Sequence, residues 1–145
     1  MRDCNLVAAC KRFLDVDVGL LDDLATVATH EDIALYGALC ALATLGPADM
    51  RAGLQEASKF RRFLESAPDV RVLVNSFFEG RFSDCLLWLH TNKPRLLLDL
   101  HLCHAADSIC DAIRDQICVR YALPYKTVSL SKMVSLLYRL CLPFV

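Results

Sequence analysis

The chain has 145 residues, a formal net charge of −1 and a composition that is 55% hydrophobic, with only 5 Gly and 5 Pro. This composition excludes a disordered or collagen-like chain, and the balanced charge argues against a chain-wide attraction to nucleic acid or to an anionic membrane. Leu and Ala, both strong helix formers, together account for 42 residues. The longest stretch without a charged residue, 33–48, is short for a membrane span. We therefore expect an all-α fold without a membrane span.

The N-terminal part of the chain predicts two helices. Asp3 is placed to cap the first, whose apolar residues recur at spacings of three and four. The second covers residues 31–45, which are apolar nearly all round and therefore predict a helix buried on most sides. Glu31 and Asp32 lie in its first turn, where the helix dipole favours anions.

The candidate core residues of the chain are Ile33, Tyr36, Leu39, Cys40, Phe77 and Phe78.

Proline and glycine divide the middle of the chain into further short helices. Pro47, Pro68 and Pro94 each predict the first turn of a new helix, because proline is tolerated there and not deeper in a helix. Ser58 is placed to cap a helix between the first two prolines. Gly80 predicts the end of the helix that begins at Pro68.

The C-terminal part predicts the longest regular helix, from about His104 to Tyr121. Leu123 and Pro124 end it. Residues 126–128 are the one plausible strand of the chain, and Ser129 is placed to cap a last helix. Short helices joined by compact turns are typical of a helical-repeat array.

Two groups of residues are weak candidates for catalytic chemistry. His101, Cys103 and His104 come nearest to a metal-binding cluster, but a structural zinc site needs ligand pairs on two separate elements. We favour the interpretation that these are half-exposed histidines at a turn. The alternative, from a different functional class, is a zinc- or thiol-dependent enzyme that uses these three residues. Cys85 and His90 lie five residues apart on one predicted helix, too far around its axis to form a nucleophile–base pair.

The cysteines predict free thiols rather than a disulfide framework. The chain has 8 Cys with no Cys-x-x-Cys pair, and most of them lie in apolar helical stretches. The N-terminus shows no secretory signal, so a reducing compartment is expected.

Four stretches carry a resemblance to a known family. They are DIALYGALCALATL, FRRFLESAPDVRVLVNSFFEGRFSDCL, LLLDLHLCHAADSICDAIRDQICVRYALPY and TVSLSKM, in that order over residues 32–133. In content and order they resemble the subunit 1 family of the COP nine (constitutive photomorphogenesis) signalosome, a family with a PCI domain. A paralogous family in the regulatory lid of the proteasome is the alternative, but YALPYKTVSLSKM is more similar to the signalosome version.

The resemblance implies a fold and a role. The fold is a right-handed, tetratricopeptide-like helical-repeat array over residues 1–121, leading into an incomplete PCI winged-helix subdomain over residues 122–145. The role is that of a non-catalytic scaffold subunit without cofactor, metal or small-molecule substrate. In the family, winged-helix edges join side by side, and the assembled complex removes the ubiquitin-like modifier from cullin ubiquitin ligases (deneddylation).

The resemblance also implies where partners bind. The winged-helix edge that would contact them is formed by Tyr125, Lys126, Thr127, Val128 and Ser129. The partners are the other PCI subunits of the signalosome, with cullin ligases contacted indirectly and with no membrane or nucleic acid, and the location is the nucleus and cytoplasm. The sequence departs from the family pattern after about Val134, and the last helix carries a wide apolar set, so we expect residues 126–145 to expose apolar surface.

Overall fold

A computed structural model describes residues 3–16, 19, 28–127 and 129–141, with residues 3–5 and 136–141 described by their backbone alone. Within these residues the regular structure is entirely helical, which confirms the all-α prediction. No described helix is both long and apolar enough to span a bilayer. The elements in chain order are α1 (Asp3–Asp15), α2 (His30–Thr44), α3 (Pro47–Arg51), a π-helical turn (Ala52–Glu56), α4 (Ser58–Ser66), α5 (Pro68–Phe78), α6 (Phe82–Leu98), α7 (Ala106–Ala122) and α8 (Leu130–Cys141).

The helices belong to two compact units, Met1–Val74 and Asn75–Val145. The boundary between the units falls within α5, so that this helix contributes residues to both. The division of the chain into a repeat part, 1–121, and a winged-helix part, 122–145, stays a prediction.

Helix α2 forms the centre of the first unit. Every residue from Ile33 to Ala43 is buried, as its apolar composition on all sides predicted. Its start is held by a capping box, in which the Thr29 hydroxyl accepts from the Asp32 amide and the Asp32 carboxylate accepts from the Thr29 amide. The placement of Glu31 and Asp32 in the first turn is confirmed, whereas the cap residue Thr29 was missed.

Helices α1 and α4 pack against α2. The rings of Phe13 and Tyr36 lie 5.9 Å apart between centroids, and those of Phe60 and Phe63 lie 6.2 Å apart. Gly37 faces Phe60 so closely that a Cβ atom at this position would lie 2.5 Å from the Cε2 atom of the ring. The missing side chain of Gly37 therefore sets how closely α4 approaches α2.

The predicted helix starts are confirmed for two prolines and corrected at two caps. Pro47 and Pro68 are the first residues of α3 and α5. Asp3 and Ser58, both expected as caps, are instead the first helical residues of α1 and α4. At α4 the reason is that the Arg61 amide donates to the carbonyl of the preceding Ala57, so the helical hydrogen bonds begin one residue earlier.

The prediction that Pro94 opens a new helix is wrong. Helix α6 continues through Pro94 as far as Leu98. Proline removes one backbone donor and crowds the preceding turn, which costs several kcal/mol (~3) in an isolated helix. Here Leu89 before the proline and Leu96 after it are both buried. The packing of these two side chains keeps the helix continuous.

Helix α7 begins at Ala106 rather than at His104 as predicted. A turn anchored on Asp99 occupies the intervening residues. The Asp99 carboxylate accepts hydrogen bonds from the amides of His101 and Leu102 at 2.8 and 3.1 Å. Because Asp side chains compete with helical hydrogen bonding in this way, the turn delays the helix.

Helix α6 packs on both α7 and α8 in the second unit. An ion pair joins Lys93 of α6 to Asp107 of α7 at 2.7 Å. At the start of α6, a turn with Gly80 at φ +75° brings the rings of Phe77 and Phe82 to a centroid distance of 6.1 Å. The buried apolar face of α7 comprises Ala106, Ile109, Cys110, Ile113 and Ile117.

Candidate interaction surface

The connection from α7 to α8 contains the residues that the resemblance places at a winged-helix edge. The Leu123 amide donates to the Val119 carbonyl, and the Tyr125 amide donates to the Ala122 carbonyl, so helix α7 closes in a tight turn. The strand predicted at residues 126–128 is wrong for its first two residues, which form a bend. Val128 lies outside the described residues. A strand is stable only when a neighbouring strand takes up its backbone groups, and within the described part of the chain there is none.

The described members of the predicted edge are all at the surface. Tyr125, Lys126, Thr127 and Ser129 are exposed, and the side chain of Tyr125 is 58% accessible. A shallow groove of about 220 Å³ lies between Tyr121, Tyr125, Thr127, Ser129 and Lys132. The structure thus brings Tyr125, Thr127 and Ser129 to one groove and exposes Lys126, and the role of these residues in binding partners stays a prediction.

Helix α8 begins immediately after Ser129, as predicted. The Ser129 carbonyl accepts from the amides of Lys132 and Met133, each at 3.1 Å. Its hydroxyl lies 2.8 Å from the hydroxyl of Ser131. The backbone of Ser129 therefore takes the first helical hydrogen bonds, while its side chain is engaged with the first turn of α8.

Large apolar side chains of helix α8, outside the lining of the groove, face solvent. Leu130 is 74% exposed and Val134 is 47% exposed, which confirms the expected apolar exposure for the described residues of this segment. We refer to the following set as the α7–α8 surface: Leu123, Tyr125, Lys126, Leu130, Lys132 and Val134. Exposed apolar groups beside a polar groove are typical of a protein-binding surface rather than a catalytic centre.

Two contacts fix the end of α7 on which this surface is built. The guanidinium carbon of Arg120 lies 4.5 Å from the ring centroid of Phe77, a cation–π contact. The rings of Tyr121 and Tyr125 lie 5.8 Å apart between centroids. Tyr125 is therefore held against the last turn of the helix while most of its side chain remains exposed.

The candidate metal cluster is not assembled by the structure. His101 and His104 are exposed, and the Cys103 thiol lies 3.7 Å from the Leu100 carbonyl. Among the described side chains, no three His, Cys, Asp or Glu residues lie close enough together to bind a metal ion. The three residues belong to the turn before α7, where the favoured interpretation placed the histidines.

The other candidate pair, Cys85 and His90, has an environment unsuited to nucleophilic chemistry. Cys85 is buried while His90 is exposed. Burial raises the pKa of the Cys85 thiol to about 12, and the pKa of the Cys40 thiol to about 11. A reactive cysteine needs the opposite shift, because the thiolate is the nucleophile.

We expect native-state alkylation to separate the thiols by burial. Cys10, Cys40, Cys85 and Cys110 are buried and Cys103 is partly accessible. Burial raises the pKa of each buried thiol, which lowers the fraction of thiolate available to the reagent. With iodoacetamide at neutral pH, mass spectrometry should find Cys103 modified well before those four. Equal labelling rates at all five positions would show that these helices are not packed as described.

Comparison with known proteins shows which proteins this chain is similar to. No protein-family model matches it. The chain is 41% identical over 125 residues to COP9 signalosome complex subunit 1 of Arabidopsis thaliana. It is 33% identical over 132 residues to the protein of that name from Emericella nidulans, and 34% identical over 105 residues to that of Caenorhabditis elegans. The chain is therefore similar to part of COP9 signalosome subunit 1.

The matches cover most of this chain but a minor part of each COP9 signalosome subunit 1 relative. They extend over 86%, 91% and 72% of the chain. They correspond to 28%, 26% and 18% of the length of the Arabidopsis, Emericella and Caenorhabditis proteins, respectively. The resemblance to the signalosome subunit inferred from the sequence is therefore confirmed, whereas the PCI subdomain assignment stays a prediction.

Sequence reasoning within the COP9 signalosome subunit 1 resemblance missed two residues of the surface. The sequence predicts Leu123 only as a helix end and Lys132 only as part of the last helix, yet Lys132 lines the groove and Leu123 is exposed two residues before Tyr125. The charge pattern could have identified Lys132, because no Asp or Glu occurs in residues 116–145. No comparable signal marks Leu123, since its exposure depends on where α7 ends.

Proposed function

We propose that this chain is a scaffold element of the COP9 signalosome, without catalytic residues of its own, that binds sister subunits through the α7–α8 surface. The observation that carries the proposal is the 41% identity over 125 residues to a signalosome subunit 1. The exposed apolar residues Leu130 and Val134 support it, because such side chains provide the energy of protein association when a partner covers them. In this role the chain supports removal of the ubiquitin-like modifier from cullin ligases by the assembled complex, in nucleus and cytoplasm.

Further support comes from the chemistry of the described side chains. The buried thiols have raised pKa values. The exposed histidines His101 and His104 belong to a turn. These features fit a structural subunit better than a zinc- or thiol-dependent enzyme.

The proposal is tested by quantitative affinity purification of the tagged full chain from cells. Sister signalosome subunits are expected to co-purify, and Leu130→Gln is expected to lower their recovery about tenfold, because an apolar anchor of roughly 1.5–3 kcal/mol is lost. Glutamine is neutral and tolerated in helices, so the fold should be preserved. The matched control is Leu98→Gln, at a leucine on α6 that is 87% exposed, which should leave recovery unchanged.

Three results would contradict the proposal. The first is recovery of no signalosome subunit, and the second is recovery of proteasome lid subunits in their place. The third is an equal loss for Leu130→Gln and Leu98→Gln, which would show that the α7–α8 surface has no special role. Circular dichroism of both variants excludes misfolding as the cause of any loss.

A further inference from the structure

We propose that the α7–α8 surface recognises an acidic protein segment with apolar anchor residues. The inference rests on the proposed function in that it concerns the same surface, and it specifies the chemistry of the partner. It is carried by the charge of the segment, by the environment of its cations and by the exposed apolar groups of the same segment.

The charge of the chain is strongly asymmetric. Residues 116–145 contain Arg120, Lys126, Lys132 and Arg139 and no acidic residue. The 17 Asp and Glu of the chain therefore all lie before this segment, although the formal net charge of the whole chain is only −1. Such a segment attracts anionic groups locally even when the chain as a whole does not.

The two lysines of the surface differ from three cations of the second unit that are already paired. Arg81, Lys93 and Arg114 each form an ion pair with a carboxylate at 2.7–3.1 Å. Lys126 and Lys132 are exposed, and neither ammonium group has a carboxylate partner among the described residues. A partner that brings carboxylates would pair these cations without breaking an existing ion pair. The first turn of α8 adds to the attraction, because the helix dipole favours negative charge there.

The apolar groups identify the partner as a protein segment. Leu123, Tyr125, Leu130 and Val134 are all exposed in the same segment as the two lysines, and Tyr125 lines one groove with Lys132. Two cations are few for nucleic acid, whose binding depends on several phosphate contacts at once, and few for stable attachment to an anionic membrane. An amphipathic segment with leucines and glutamates can cover the apolar groups and neutralise the lysines together.

The test uses the full chain and two synthetic probes. One is an amphipathic helical peptide with Leu on one face and Glu on the other, and the second carries Gln in place of every Glu. Affinities are measured by isothermal titration calorimetry at 50 and at 200 mM salt. The Glu peptide should bind more tightly than the Gln peptide, and its affinity should fall with salt because the exposed charges are screened.

Charge reversal locates the site. The double variant Lys126→Glu, Lys132→Glu should bind the Glu peptide about tenfold more weakly, since two exposed attractions become repulsions. Glu in place of Lys132 lies in the first turn of α8 and suits the helix dipole, so folding should not change. The matched control is Arg51→Glu, Arg71→Glu, at two exposed positions of the first unit, which changes the net charge equally and should leave binding unchanged.

The inference is overturned if the Gln peptide binds as tightly as the Glu peptide or if the two double variants behave alike. Tighter binding to phosphatidylserine vesicles or to a single-stranded oligonucleotide than to the Glu peptide would also overturn it. Its failure is distinct from that of the proposed function. If sister subunits co-purify equally with the wild-type chain and with Lys126→Glu, Lys132→Glu, the scaffold role stands and the acidic partner does not. If the chain binds the Glu peptide but no sister subunit co-purifies with it, the acidic partner stands and the scaffold role does not.

Discussion

Replacing Leu39 with alanine is expected to lower the free energy of unfolding by about 2–5 kcal/mol. Leu39 lies in the middle of α2 with a side-chain exposure of 0%, and all residues around it from Ile33 to Ala43 are buried. Alanine removes three carbon atoms and leaves a cavity that the neighbouring helices close only in part. Urea unfolding followed by circular dichroism measures the change.

The control for Leu39→Ala is Val72→Ala in the same unit. Val72 lies on α5 and is 57% exposed, so its truncation should change the free energy of unfolding by less than about 0.5 kcal/mol. A loss below about 1 kcal/mol for Leu39→Ala would contradict the central position of α2 and would place this helix at the surface.

Replacing Gly37 with alanine is expected to destabilise the first unit by about 1–3 kcal/mol, the usual cost of overpacking a core. The added Cβ atom would lie 2.5 Å from Cε2 and 2.8 Å from Cζ of Phe60. The ring cannot move away easily, because Phe60 is fully buried and its ring packs against that of Phe63. The sign of the change in stability tests the contact, because in a helix without it Gly→Ala stabilises by about 1 kcal/mol.

A double-mutant cycle with Phe60→Leu separates the steric clash from other effects of Gly37→Ala. Leucine lacks the two ring atoms nearest the new Cβ atom, so Gly37→Ala in this background should be nearly neutral or stabilising. The coupling energy of the cycle then measures the contact between α2 and α4. If Gly37→Ala destabilises equally in both backgrounds, the close approach of Gly37 to Phe60 is not the cause.

Most of the helical fold could be predicted from residue patterns. The burial of α2 follows from a stretch that is apolar on every side, and the buried face of α7 follows from apolar residues at spacings of three and four. Pro47, Pro68 and Gly80 were placed correctly because their backbone restrictions are local. These features depend only on neighbours in the sequence.

The errors occurred where distant contacts outweigh local preference. Pro94 is an unfavourable residue for the interior of a helix, but the buried Leu89 and Leu96 keep α6 continuous. Residues 126 and 127 were expected in a strand, and they form a bend because no described strand pairs with them. At the start of α7, the Asp99 carboxylate holds a turn where a helix was expected from about His104.

For the candidate surface as well, some features follow from the sequence and others only from the tertiary structure. The sequence by itself determined that the chain is helical, that most described thiols are buried and that residues 116–145 carry only positive charge. These properties follow from composition and from periodicity along the chain. Only the tertiary structure decided that Leu123 and Leu130 are exposed, that Tyr125 and Lys132 line one groove, and that Lys132 has no carboxylate partner among the described residues. Exposure and ion pairing depend on which groups the rest of the fold brings near, and that information is absent from local sequence.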